Sequence, residues 1–479
     1  MPKGPAQESG ESLDPADWTM LRQLGHRMLD DAFDQLQGLR NGLVWQSMPA
    51  LRREEFRAPL PRDGAPAEAV YEAYLHLIAP YATGNRHPGF FGWVHGGGTP
   101  VGMLAEMLAG GLNANLGGRD HAPILCERQV IAWAAEMLGF PPDASGVLVT
   151  GTSVANLMAV LVARTAALGP AAREAGVAAS RLVAYAAPAV HGCVGRAFDM
   201  AGLGRQALRL VACDGGSGLD PARLRAAIAQ DRRDGHLPFM VVGTAGTVDT
   251  GALDDLAALA ELCREEALWF HVDAAYGALA MLSVRLRPLL AGIEQAHSVA
   301  FDFHKWAQVP YDAGCLMVRD AAAHRAAFAQ PASYLARSTR GLAAGDPWPC
   351  DLGPDLSRGF RALKVWMTLR HYGADRIGRT IEHTCALARH LAARIESEPG
   401  LELSAPVTLN IVCFRCTGLD DGAHAELAAD IQESGVAAPS TTSIAGRTVL
   451  RAAIVNHRTE ARDVDALVDA AVAGAARYR

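Results

Sequence analysis

From about residue 146 onward, short apolar runs alternate with stretches whose apolar positions recur at helical spacing: GVLVT then VANLMAVLVARTAAL, RLVAYAA then HGCVGRAFDMAGL, PFMVVGTAG then LDDLAALAELCREE, with LWFHVDAAY following. A strand that is apolar on both faces must be covered on both faces. Helices returning the chain to the starting edge do this, so the alternation predicts βα units around a mainly parallel sheet. In such α/β folds ligands bind beyond the carboxyl ends of the strands. Gly151, Thr152 and Ser153 follow one predicted strand and Asp273 ends another, so they are placed to share a site.

The flanking regions read differently. Residues 13–84 carry helical periodicity punctuated by Pro59, Pro61, Pro66 and Pro80, which predicts an open helical arm. After about residue 360 a long helix (FRALKVWMTLRHYG), strands such as LNIVCFRC and TVLRAAIVN, and a final alanine-rich helix predict a smaller α+β domain. The expected organisation is an N-terminal helical arm and dimerisation segment over 1–85, a large α/β domain over 86–360 and a small C-terminal α+β domain over 361–479, with no internal repeat.

Composition narrows the partners. Half of the 479 residues are hydrophobic and a fifth are charged, as in ordinary globular proteins. A net charge of −7 offers no electrostatic basis for binding nucleic acid or an anionic membrane, so a small molecule is the expected partner. The first residues, MPKGPAQESGESLDPADW, lack the apolar core of a secretory signal, and no apolar run approaches spanning length. Nine scattered cysteines, with Cys413 and Cys416 alone as a close pair on a predicted strand, point away from a zinc site, and a reducing cytoplasm is the expected setting.

Three segments carry candidate chemistry. In HVDAAYG (271–277) Asp273 ends an apolar strand among small residues. A buried carboxylate needs a charged or hydrogen-bonding partner, which a protonated pyridine nitrogen would supply; a helix cap or loop salt bridge would also serve. In SVAFDFHKWAQVPYDAGCLMVRD (298–320) Lys305 stands between His304 and Trp306 inside apolar sequence. Such an amine suits Schiff-base chemistry, against the alternative of a lysine reaching out to water. In VTGTSVANL (149–157) a strand runs through Thr152 and Ser153 into a helix, which suits a phosphate at the helix N-terminus and equally suits ordinary capping.

Taken in order, the strand-to-helix cradle, the strand-end aspartate and the histidine-lysine pair resemble the pyridoxal-phosphate enzymes of fold type I, and within them the group II amino-acid decarboxylases, especially the aromatic-L-amino-acid decarboxylases. The resemblance runs from about Asp14 to the C-terminus and is supported by RHPGFFGWVHGGGTP, by His191 in YAAPAVHGCVGRA, by SYL around Tyr334 and by FRALKVWMTLRHYG. It implies a mainly parallel sheet of the seven-stranded type, pyridoxal 5'-phosphate as cofactor, and a homodimer with shared active sites. It further implies that Lys305 holds the cofactor, that Asp273 keeps its ring nitrogen protonated, that His191 stacks on the ring and that Ala275 leaves room for it. Thr152, Ser153 and His304 join the cofactor contacts, His304 also counts among the catalytic residues, and Tyr334, on a loop of small and polar residues, delivers a proton to the substrate Cα.

Two departures from the family pattern stand out. The family often carries Asn-Pro-His-Lys where this chain has Asp302, Phe303, His304 and Lys305. An aspartate beside a phosphate is repulsive, so Asp302, counted among the cofactor contacts, either points elsewhere or pairs with a cation. In the segment expected to bind substrate, Phe91, Trp93 and His95 are the candidates, and the usual threonine position is Gly96. The implied reaction is decarboxylation of an L-amino acid, aromatic by analogy. The alternatives are an aldehyde-forming decarboxylase and a catalytically silent scaffold, the latter disfavoured by intact Lys305, Asp273 and His191.

Overall fold

The computed structural model describes residues 12–15, 17–178, 180–212, 218–330 and 337–478. Its main sheet has seven strands: β1 (Ser145–Val149), β2 (Leu182–Ala186), β3 (Leu208–Leu210), β4 (Leu237–Thr244), β5 (Trp269–Asp273), β6 (Ser298–Asp302) and β7 (Gly314–Val318). Their spatial order is β1-β7-β6-β5-β4-β2-β3. The sheet is parallel from β3 across to β6, and β7 alone is reversed, pairing antiparallel with both β6 and β1. This is the fold type I arrangement. Because β1 and β6 both oppose β7, their carboxyl ends lie on the same edge as those of β4 and β5.

The side-chain period of two divides this sheet between two cores. Val241, Phe270, Val272, Val299 and Phe301 face one side. Met240, Val242, Ala300 and Leu316 face the other, beneath the helices Thr152–Leu168 and Gly192–Met200. Every position of β2, β6 and β7 is buried, which accounts for the near-continuous apolar runs in their sequences. Each such side chain contributes about 1.5–3 kcal/mol by leaving water. The fully buried Arg358 and Glu127 lock β1 in place: the guanidinium holds both the carboxylate and the Leu148 carbonyl, and Glu127 accepts the Leu148 N–H.

A second sheet, antiparallel in the order β10-β11-β9-β8, contains β8 (Leu401–Leu403), β9 (Ile411–Cys416), β10 (Ser440–Ile444) and β11 (Arg447–Ala453). The helices Ala374–Ser397, Asp421–Glu433 and Ala461–Ala475 cover it through Leu391, Leu427 and Leu467. At the other terminus, Asp17 caps the helix Trp18–Gly38, in which no residue is buried. Arg27 ties this helix to Glu68 and Glu72, while Trp18 and Met20 stay exposed. Among the described residues no helix is long and apolar enough to cross a membrane.

Candidate active site

Four chain segments converge where β1, β4, β5 and β6 end. After β1 the chain passes through Gly151 into the helix Thr152–Leu168, and Gly314, at the start of β7, packs so closely against Gly151 that a Cβ there would overlap its backbone. That helix has no cap of its own. Its N-terminus is held from across the site by Asp302, the last residue of β6. One oxygen of this carboxylate accepts the Thr152 N–H and the other the Thr152 hydroxyl, both at 2.8 Å. The second oxygen also meets the Lys305 ammonium at 2.9 Å. Asp302 therefore pairs with a cation, which resolves the conflict noted in the sequence. It also engages both Thr152 donors, while Ser153 is exposed at the same helix end.

His304 is buried beside this clamp. Its Nδ1 accepts the Ala313 N–H at 3.0 Å, and burial lowers its pKa to about 4. The neutral ring thus carries its proton on Nε2, which lies 3.6 Å from Asp302.

Asp273 ends β5, 3% exposed. Its oxygens accept from Asn156 Nδ2 at 3.1 Å and from the Ala275 N–H at 3.3 Å. Burial raises its pKa, opposed by the charges of Lys305 and His191. Among the described residues no cation lies within ion-pair distance of it, so a buried carboxylate retains unspent acceptor capacity. Opposite it in the β4–β5 register, Thr244 buries a hydroxyl that has no partner among the described residues. A flat ligand bringing a protonated ring nitrogen and a polar ring substituent would satisfy both groups. Ala275, half-buried next to Asp273, leaves room for such a ring.

His191 is the N-cap of the helix Gly192–Met200, its Nδ1 accepting the Cys193 N–H at 3.3 Å. The cap orients the ring and leaves Nε2 without a hydrogen bond among the described residues, so capping and a place at the site are compatible.

The aromatic segment divides. Phe91 is fully buried in the core of the second sheet, its backbone stitched between Ala438 and Ala453. Trp93 and His95 instead form a cluster with Phe90 and Tyr311, with neighbouring ring centroids about 6 Å apart. Tyr311 in turn packs 4.3 Å from the His304 ring. Trp93 remains half-exposed. Gly96 has a steric reason: a Cβ there would overlap the carbonyl oxygens of His304 and Lys305, so the position offers backbone proximity and no side-chain contact. Tyr334 lies outside the described residues.

The sequence reading passed over Asn156, Thr244, Tyr311 and Arg451. The last had a signal, a charge within the apolar run TVLRAAIVN. Arg451 is buried in β11, donates to the Gly92 and Val248 carbonyls at 2.8 Å, and keeps one buried nitrogen without a partner. Among the described residues no cluster of His, Cys, Asp and Glu is arranged to hold a metal.

An amine, a buried carboxylate and an unspent hydroxyl at the carboxyl edge of a mainly parallel seven-stranded sheet define a pyridoxal-phosphate enzyme of fold type I, and pyridoxal phosphate is the cofactor. The pyridoxal-dependent decarboxylase conserved domain matches residues 49–417, and the chain belongs to that family of amino-acid-decarboxylating lyases. It is 31% identical to an aromatic-L-amino-acid decarboxylase of Bacillus atrophaeus over 93% of each chain. It is 28% identical to a phenylacetaldehyde synthase of Arabidopsis thaliana, covering 95% of this chain and 96% of that one. The solved structure of an Oryza sativa TDC with PLP and tryptamine superposes with a TM-score of 0.88 at 26% identity, over 97% of this chain and 99% of that one.

Proposed function

We propose that the protein converts an aromatic L-amino acid to the corresponding amine and carbon dioxide. The observation that carries the aromatic assignment is the cluster of Phe90, Trp93, His95 and Tyr311 set against the His304–Lys305 turn. It carries a half-exposed indole packed against His95, the ring that feels the Lys305 charge, and its one titratable base is kept neutral, because burial lowers the pKa of His95. Such a wall of ring faces favours an apolar ring.

In this reading Lys305 is the residue that would hold the cofactor, through Nζ. Asp273 would accept a hydrogen bond from a protonated ring nitrogen, Thr244 would offer its hydroxyl to a polar ring substituent, and His191 and Ala275 would border the ring. The bound cofactor supplies an electron sink for the pair released when the Cα–carboxylate bond breaks. His304, neutral and fixed through Nδ1, orients its Nε2–H toward Asp302 and so steadies the clamp on Lys305. With the Thr152 donors taken by Asp302, Ser153 at the helix start is the remaining hydroxyl for the phosphate. Tyr334 gives its phenolic proton to the substrate Cα, which favours the amine as product over the aldehyde named for the Arabidopsis relative.

The experiment is a carbon dioxide release screen of the holoenzyme over the common L-amino acids and hydroxylated aromatic ones, with products identified. Turnover confined to aromatic substrates, with KM raised severalfold by Trp93→Ala, is the expected result; preferred turnover of an acidic or aliphatic amino acid would overturn it. The arm supports a second assignment, a homodimer with shared sites. A 21-residue helix with no buried side chain and with Trp18 and Met20 exposed requires a partner surface, and a fully active monomer in sedimentation would refute that.

A further inference from the structure

The period of two in β5 places Trp269, His271 and Asp273 on one face of the strand, the face covered by the helix Thr152–Leu168. Three residues capable of hydrogen bonding in a row on a buried strand face must find partners, and they do so by joining one another. The Trp269 indole N–H donates to Ser298 Oγ at 2.8 Å, and Ser298, opposite His271 in the β5–β6 register, lies 2.9 Å from His271 Nδ1. His271 Nε2 lies 2.8 Å from Asn156 Oδ1, and Asn156 Nδ2 donates to Asp273 at 3.1 Å. Asn156, His271, Ser298 and Asp273 are all buried.

The chain has one direction. An indole nitrogen only donates, so the Ser298 hydroxyl accepts at that end and has its own proton to give to His271 Nδ1. His271, entirely buried and with its pKa lowered to about 3, is neutral and carries a single ring proton, which then sits on Nε2 and goes to the Asn156 carbonyl oxygen. The Asn156 amide group accordingly points its N–H bonds at Asp273 and, at 3.3 Å, at Cys193 Sγ. Every link spends the donor that the previous link leaves it, and the terminus at Asp273 has to accept.

We propose that Asn156 and His271 are positioning residues that, through this one-way chain from Trp269, hold Asp273 as an acceptor oriented toward the cofactor's ring nitrogen. The inference rests on the reading of Asp273 as the partner of that nitrogen. The hydrogen bond that Asn156 donates favours the charged form of Asp273. The relay thus opposes the tendency of burial to neutralise Asp273.

The test compares the apoprotein's affinity for pyridoxal phosphate with that for its 1-deaza analogue, which has a carbon in place of the ring nitrogen, in the unmodified protein, Asn156→Leu and Asp273→Ala. Asn156→Leu is expected to weaken pyridoxal phosphate binding about tenfold, the equivalent of about 1.4 kcal/mol, and to change deaza-analogue binding by no more than about twofold. A packing defect would weaken both ligands alike, so equal losses in Asn156→Leu, or no loss at all, would overturn the relay. If Asp273→Ala also fails to discriminate between the ligands, the reading of Asp273 falls with it; if Asp273→Ala discriminates and Asn156→Leu does not, the relay alone falls. Should Asn156→Leu not fold, Asn156→Ser is measured in its place with the same expectation. Nitrogen-15 NMR of the apoprotein adds a readout independent of ligand: His271 is expected as the neutral Nε2–H tautomer, and an Nδ1–H tautomer would contradict the direction of the chain.

Discussion

Asp302→Asn removes one charge from the centre of the site with almost no change of shape, so its cost follows from the contacts already described. The carboxylate makes three charge-assisted contacts, two with Thr152 and one with the Lys305 ammonium. A hydrogen bond to a charged group contributes about 1.5–3 kcal/mol and a neutral one about 1, so three contacts lose about 3 kcal/mol together. Breaking a buried pair costs about 3–5 kcal/mol, and the low end applies because Lys305 keeps 20% of its side chain exposed. For 479 residues the unfolding entropy is about 1 kcal/mol per kelvin, so the apoprotein's Tm should fall by about 3 °C. The assay is calorimetry of four apoproteins: unmodified, Asp302→Asn, Lys305→Ala and the double variant. In the cycle the two sites should couple by about 2 kcal/mol, leaving the double variant about 2 °C more stable than additivity predicts. Strict additivity, or an unchanged Tm in Asp302→Asn, would show that the pair holds neither the helix start nor the lysine.

Other perturbations address separate features. Gly96→Thr, which restores the family's side chain, should lower stability by about 1–3 kcal/mol through overpacking against the His304–Lys305 carbonyls and weaken cofactor affinity; unaltered Tm and affinity would contradict the close approach. Buried His271, His304 and His324 and half-buried His457 have folded-state pKa values lowered to about 3–4 by desolvation. As pH falls past the unfolded value of about 6.5, the unfolded chain takes up protons first. The stability these histidines confer is complete above that pH and declines below it by up to about 1.4 kcal/mol per pH unit for each, so a Tm flat between pH 7 and 5 would refute their neutral burial. Tyr334→Phe should leave carbon dioxide release intact while diverting product from amine to aldehyde, ammonia and hydrogen peroxide under air, and an unchanged amine yield would assign the Cα proton to another acid.

How legible each residue was in the sequence depended on whether its signal was local. Asp273 and Lys305 interrupt apolar runs at strand ends, where the pattern itself marks an unusual charge. Asn156 sits in a helix whose polar positions resemble any solvated face, and its function exists only because β5, over a hundred residues later in the chain, runs beneath it. Thr244 looks like the polar end of a strand until the β4–β5 register sets it opposite Asp273. Phe91 and Trp93 carry the same aromatic signal, yet the backbone pairing of Phe91 turns it into the second core while Trp93 stays at the surface. Local pattern shows which residues are aromatic or charged, but only tertiary contacts decide which of them meet. The charge of Asp302 conflicts with a phosphate in sequence alone, and its partners, Thr152 at the helix start after β1 and Lys305, come together only in the fold.

The most direct test of the account is borohydride reduction of the purified holoenzyme followed by peptide mapping. The account predicts loss of the visible absorbance, one pyridoxyl phosphate group per chain carried by Lys305, and abolition of carbon dioxide release from aromatic L-amino acids. A pyridoxyl group on another lysine, or full decarboxylation after Lys305 has been blocked, would contradict it.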